Sequence, residues 1–245
     1  MLIDLHVHSH LSRGCDLNPK KVLERAMSHG LDGVAFTETN TQDGCDELIE
    51  LGRDAPIKVF VGLELNTDKG QYLCFFPDPE RAPEPVQMWG SNREKPWSAA
   101  ECLPKLKSLG AAIVAARPYD KDFSHPAGDF VLSLQTLSAV EGYNAKLRQT
   151  VNDLAVEAAD SLRLPCVGGS DARAMDEIGR GATLFKDPIA TQSDLVRALQ
   201  GKNYWAVMVG ELPRLTRPNE ARIEEAKKGK RRRKQSRGGM GYNRS

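Results

Sequence analysis

Two histidines one residue apart, His6 and His8, follow a short apolar run, Leu2-Ile3-Asp4-Leu5. In an extended strand residues i and i+2 point to the same side, so both imidazoles can reach one point. Two neutral imidazoles converging at a strand end suit a borderline-soft divalent ion such as zinc. An isolated H-x-H pair also arises by accident. Its meaning therefore depends on what the rest of the chain brings to the same place.

The elements that would do this are short apolar, β-branched runs at 2–7, 33–37, 58–65, 72–76, 111–116, 139–143, 165–168 and 204–209. Between them, 19–29, 45–54, 98–109, 145–162 and 192–200 carry the i, i+3, i+4 spacing of amphipathic helices. Asn18-Pro19 supplies a cap and a first-turn proline, and Gly30 ends that helix. Such alternation predicts an α/β fold with a largely parallel sheet, in which functional residues gather at the C-terminal ends of strands. Residues 77–96 hold five prolines and no periodicity, which reads as a long loop over one face.

Polar groups recur at the predicted strand ends: Thr37-Glu38-Thr39-Asn40, Gly62-Leu63-Glu64, Arg117-Pro118-Tyr119, Glu141-Gly142-Tyr143-Asn144 and Gly169-Ser170-Asp171-Ala172-Arg173. Charged side chains at one end of a buried sheet are costly unless they meet each other or an ion. In this order, and with Asp4-Leu5-His6-Val7-His8-Ser9 and Ser12 in front of them, the segments resemble the motifs of the PHP (polymerase and histidinol phosphatase) metal-dependent phosphoesterases. The match runs from residue 2 to about 185. The resemblance implies a distorted (β/α)7 TIM-like barrel with up to three metals at its C-terminal face, hydrolysing phosphate esters.

The same resemblance implies that His6, His8, Glu64 and Asp171 are first-site metal ligands, a reasonable set for zinc or manganese. Departures from the family pattern are as informative. Thr39 stands where a ligand histidine is expected, Arg117 and Arg173 replace two others, and Gln71-Tyr72 lacks a histidine that many members carry. A ligand expected soon after Ser12 could only be Cys15 or Asp16. Arginine repels a cation but is a strong bidentate partner for phosphate oxygens. The reduced set predicts one divalent metal ion, Zn or Mn, with Arg117 and Arg173 holding a substrate phosphate beside it. On the bland reading the two arginines merely pair with Glu38, Glu141 or leftover carboxylates. Glu38 is expected as a base or a supporting acceptor, and His10 as a surface or supporting residue that is also the best remaining candidate proton carrier.

Composition sets the frame: 245 residues, 40% hydrophobic and 27% charged, are those of a globular protein. Five scattered cysteines without a C-x-x-C pair read as reduced thiols. No signal peptide or membrane-length apolar run is visible, so a soluble cytoplasmic protein with no membrane partner is the expectation. The net charge of +1 hides an asymmetry, since residues 217–245 carry eleven Lys/Arg against three Glu. The expected division is a PHP-like barrel domain, 1–215, and a basic disordered tail, 216–245. In the tail, Lys227, Lys228, Lys230, Arg231, Arg232, Arg233, Lys234 and Arg237 are candidate nucleic-acid contacts. Two function classes follow. One is a metal-dependent phosphoesterase acting on a phosphorylated small molecule, a nucleotide or an RNA end. The other is a catalytically inactive barrel serving as a nucleic-acid-binding or ribonucleoprotein subunit.

Overall fold

The first strand, β1 (Leu2–Val7), is buried along almost its whole length, as a strand covered on both faces must be. The structure of the chain, a computed structural model, describes residues 1–91 and 95–209. After β1 come α1 (Pro19–Ser28), β2 (Gly33–Thr39), α2 (Cys45–Arg53), β3 (Lys58–Thr67) and β4 (Gly70–Phe75). They are followed by α3 (Pro85–Trp89), α4 (Ala99–Ser108), β5 (Ala112–Ala116), β6 (Ala139–Asn144), α5 (Gln149–Leu162) and β7 (Cys166–Gly169). The order ends with β8 (Gly181–Phe185), α6 (Gln192–Gln200) and β9 (Tyr204–Met208).

Local chemistry explains several boundaries. The Asn18 side chain accepts from Lys20 N (3.0 Å) and Lys21 N (3.4 Å), capping α1 with Pro19 in its first turn. Thr191 and Asp194 form a reciprocal capping box at the start of α6.

The described strands form one sheet in the order β7-β6-β5-β4-β3-β2-β1-β8-β9. β1, β2 and β3 run parallel, as do β5, β6 and β7. β4 is antiparallel to both β3 and β5, while β8 and β9 form an antiparallel flank beside β1. The sheet curls into a nearly closed α/β barrel. Its C-terminal rim is zipped between the end of β1 and the loop after β7. There Val7 bridges Ala172, His8 N donates to Ala172 O (3.0 Å), and Ala172 N donates to His6 O (3.3 Å). That closure brings the first strand's histidines beside residues far along the chain.

Three buried clusters brace the barrel, and two of them draw in α4, α5 and α6. Leu63, Leu65, Tyr72 and Ile113 pack against Leu103 and Leu106 of α4 and Ala155 and Ala159 of α5. Ile3, Leu5, Phe60, Leu73, Phe75, Val114 and Val167 join Leu195 and Leu199 of α6.

The barrel differs from a purely parallel one in identifiable places. β8 is not evident in the sequence, being five residues of which two are glycine and alanine. The 77–96 segment contains the short helix α3 and a 3-10 turn at Pro79–Arg81, each started by a proline in its first turn. Helix α5 begins at Gln149 rather than near 145, because 145–148 form the turn leaving β6. The expected tail, 216–245, and its boundary lie outside the described residues.

Candidate metal centre

All the polar strand-end segments meet at the rim just described. His6, on β1, is fully buried, and its Nδ1 lies 2.8 Å from Glu141 Oε1 of β6. A carboxylate can only accept, so Nδ1 carries a proton and Nε2 is the nitrogen turned to the opposite side. Gly169, ending β7, makes room for this ring: a Cβ there would sit 2.5 Å from His6 Cβ. His8 follows β1 with its Nδ1 3.1 Å from Ser12 Oγ, and the two imidazole centroids are 5.3 Å apart.

Two carboxylates complete the group. Glu64 lies on β3, where Thr39 Oγ1 donates to its Oε2 (2.8 Å) and Gln71 Nε2 to its Oε1 (3.1 Å). Asp171 leaves β7 in a left-handed conformation, φ 53°, which turns it toward the histidines. His6 Nε2 lies 3.3 Å from Glu64 Oε1 and 3.6 Å from Asp171 Oδ1. His8 Nε2 lies 3.5 Å from Asp171 Oδ1 and 3.9 Å from Glu64 Oε2. Donor atoms of His6, His8 and Asp171 all fall within 4.8 Å of one another.

This donor set passes a simple chemical test for a divalent ion. His6 Nε2 has no hydrogen-bond partner and faces two carboxylate oxygens, so acceptors surround a point that needs positive charge, from a proton or a cation. Proton affinities carry the same message. Burial pulls the His6 pKa down, but the charges of Glu141 and Asp171, the hydrogen bond to Glu141 and the close approach of Glu64 push it up to about 10. For Glu64, burial acts upward and is overcome by the close approach of His6 and the charges of His8 and His6, which hold it below its ordinary value. Asp171 is likewise held low against its burial, by His6, His8 and Arg117. A proton on His6 and a metal ion are two ways to meet one electrostatic demand.

The two arginines flank the same atoms. Arg117, at φ 44° directly before Pro118, places Nη1 2.9 Å from Asp171 Oδ2 and 3.5 Å from Asp120 Oδ2. Its Nη2 donates to Gln71 Oε1, and its backbone N donates to Glu141 Oε2 (3.1 Å). Arg173 Nη2 donates to Thr39 Oγ1 (2.8 Å) and lies 3.3 Å from His8 Nε2 and 3.5 Å from Glu64 Oε2. The Arg117 and Arg173 side chains are 17% and 30% exposed, whereas that of Glu64 is fully buried, so the guanidinium groups are what an incoming ligand would meet.

Other expected residues fall elsewhere. Glu38 accepts from Ser9 N, Ser9 Oγ and Ser12 Oγ, and none of its hydrogen bonds goes to a histidine or to Asp171. His10 is exposed and 3.6 Å from Glu47. Cys15 Sγ contacts Arg173 O at 3.8 Å. The eight basic tail residues lie outside the described residues. Sequence reasoning gave Asp120 no role, and Glu141 only that of an alternative arginine partner. Their signal was weak: a carboxylate three residues past Arg117, and a buried Glu inside an apolar strand.

Known proteins share this fold and parts of this sequence. The family model described as PHP-associated matches residues 149–203. An uncharacterized protein of Methanocaldococcus jannaschii is 29% identical over 167 residues, 64% of this chain and 90% of that protein. The phosphoribosyl 1,2-cyclic phosphate 1,2-diphosphodiesterase of Eggerthella lenta is 33% identical over 100 residues, 39% of this chain and 38% of that enzyme. A two-domain protein of Bacteroides vulgatus containing a predicted PHP-like metal-dependent phosphoesterase superposes with a TM-score of 0.65. It is 17% identical and covers 85% of this chain and 65% of its own. The chain is thus similar to PHP-domain proteins in fold and over part of its sequence. Among the described residues no helix is long and apolar enough to cross a membrane.

Proposed function

We propose that this protein is a phosphoesterase with a reduced metal centre, in which His6, His8, Glu64 and Asp171 hold one divalent ion, zinc or manganese. Arg117 and Arg173 would bind the phosphate of the substrate. The observation that carries this reading is the position of the two guanidinium groups. Each contacts a carboxylate of the donor set while keeping exposed surface toward the rim. A divalent ion there would polarise a phosphoryl oxygen and activate a water. The arginines would supply fixed positive charge where negative charge develops, a bidentate role suited to guanidinium. Glu38, bonded to Ser9 and Ser12, acts in this reading through Ser12 rather than on the substrate. Nucleotides and nucleic-acid ends are the favoured substrates, because the basic run Lys227–Arg237 would attract polyanions.

One observation favours a second reading. Arg173 lies against His8 Nε2 and Arg117 against Asp171, so the pocket can balance part of its charge without an ion. That suits a catalytically inactive barrel that binds nucleic acid as an RNA or ribonucleoprotein subunit. Elemental analysis of the purified protein and of His8→Ala separates the two. One ion per chain, lost in the variant, supports the enzyme. No ion in either supports the binding subunit, and two or three ions refute the reduced centre. Arg117→Ala is expected to weaken inorganic phosphate binding by tenfold or more, and unchanged binding removes the clamp.

A further inference from the structure

Both ring nitrogens of His8 have partners, and those of Nδ1 leave one arrangement of protons. Glu38 is held as an acceptor, receiving Ser9 N at 3.0 and 3.2 Å and Ser9 Oγ at 2.6 Å. A carboxylate cannot donate, so the single hydroxyl hydrogen of Ser12 points at Glu38. Thr39 N donates to the same Ser12 oxygen at 2.9 Å, using one lone pair. The remaining lone pair faces His8 Nδ1 at 3.1 Å, and that nitrogen must then carry the proton. The other side of the ring is compatible with this. Arg173 Nη2, which can only donate, lies 3.3 Å from His8 Nε2, nearer than Asp171 Oδ1 at 3.5 Å, and suits a bare Nε2.

From this we infer that Glu38 and Ser12 are positioning residues that lock His8 in the Nδ1–H tautomer and aim its Nε2 lone pair at the metal centre. The relay Glu38–Ser12–His8 does for the second histidine what Glu141 does directly for the first. It is built differently because of local spacing. Ser12 lies four residues after His8, in the turn where Ser12 N donates to Ser9 O, and β2 supplies both Glu38 and Thr39. A hydroxyl with three occupied directions has no freedom to rotate, whereas an isolated serine would serve either tautomer. Removing such an outer partner costs a metal site roughly 10- to 100-fold in affinity.

The inference rests on the metal-centre reading, but its test begins without metal. In chelator-treated protein at mildly alkaline pH, the ring 15N resonances of His8 are assigned by comparison with His8→Ala. A protonated Nδ1 and a bare Nε2 are expected, and the opposite tautomer overturns the inference whether or not the protein ever binds an ion. Zn2+ and Mn2+ titrations are then run on wild type, Ser12→Ala and Ser12→Thr. Ser12→Ala should mix the tautomers and weaken binding at least tenfold, while Ser12→Thr, which keeps the hydroxyl, restores both. Ser12→Ala with wild-type tautomer and affinity refutes the relay. Should Ser12→Ala fail to fold, the wild-type resonances and Ser12→Thr still decide. If wild type binds no ion, the metal-centre reading fails and the tautomer result stands separately.

Discussion

Replacing Gly169 with alanine tests whether the barrel closure sets the centre. The new Cβ would sit 2.5 Å from His6 Cβ, 3.2 Å from His6 N and 3.1 Å from Glu141 Oε1. Carbon pairs are comfortable at about 3.5–4.0 Å, so β1 and the end of β7 must part by about 1 Å. The closest obstructing atom, His6 Cβ, is attached directly to the backbone, so no rotamer change relieves the overlap. Overpacking of this kind costs about 1–3 kcal/mol. For a domain of this size that lowers the melting temperature by roughly 2–12 °C. Ligand positions in a metal site tolerate only about 0.2 Å, so a His6 displaced by several times that should lose at least tenfold in Zn2+ affinity. Gly30→Ala is the control. Its φ of +75° makes alanine strained, yet a Cβ there meets nothing within 4 Å. It should destabilise by about 1–2 kcal/mol and leave metal affinity alone. Thermal unfolding and metal titration of both variants provide the measurement. Wild-type affinity in Gly169→Ala, or equal losses in the two variants, would refute the argument.

Other expectations follow from single features. Leu103→Ala removes a fully buried side chain from the α4 cluster and should cost about 3–5 kcal/mol in urea unfolding. Tyr72 and Tyr204 are buried and their pKa values are raised, chiefly by desolvation. The stability they contribute is complete below the unfolded tyrosine value near 10, and is lost as pH rises from there toward the folded values. Phenolate absorbance should show two of the five tyrosines titrating only with unfolding. Excess Zn2+ at 100 times its dissociation constant should raise stability by about 2.7 kcal/mol, and a chelator should abolish that gain. Deleting 227–245 should weaken single-stranded RNA binding and flatten its salt dependence by about 0.7 in log-log slope for every phosphate the tail had neutralised. An unchanged slope would show that the tail neutralises none.

Much of the barrel was legible because its signals are local. Strand and helix runs, the α1 cap and the H-x-H pair depend on neighbours a few residues apart. What escaped depends on distant pairing. β8 is short and rich in small residues, and only its place beside β1 makes it a strand. β4 reads as any other apolar run, and nothing local says that it lies antiparallel between β3 and β5. At the site, residue types gave the clustering but not the wiring. That Glu141 orients His6, or that Ser12 relays Glu38 to His8, requires knowing which rings and carboxylates face each other across the rim. The positive φ values of Arg117 and Asp171 are equally silent in sequence, since neither residue is a glycine.

The zip between Val7 and Ala172 has a consequence for biosynthesis. The cluster draws on both ends of the barrel, and 165 residues separate His8 from Arg173. A nascent chain emerging from the ribosome therefore exposes its paired imidazoles long before Asp171 has been made. On the metal-centre reading, those rings would hold an ion only loosely until the loop after β7 arrives and docks, and whatever they had captured would be retained or exchanged when the seam shuts.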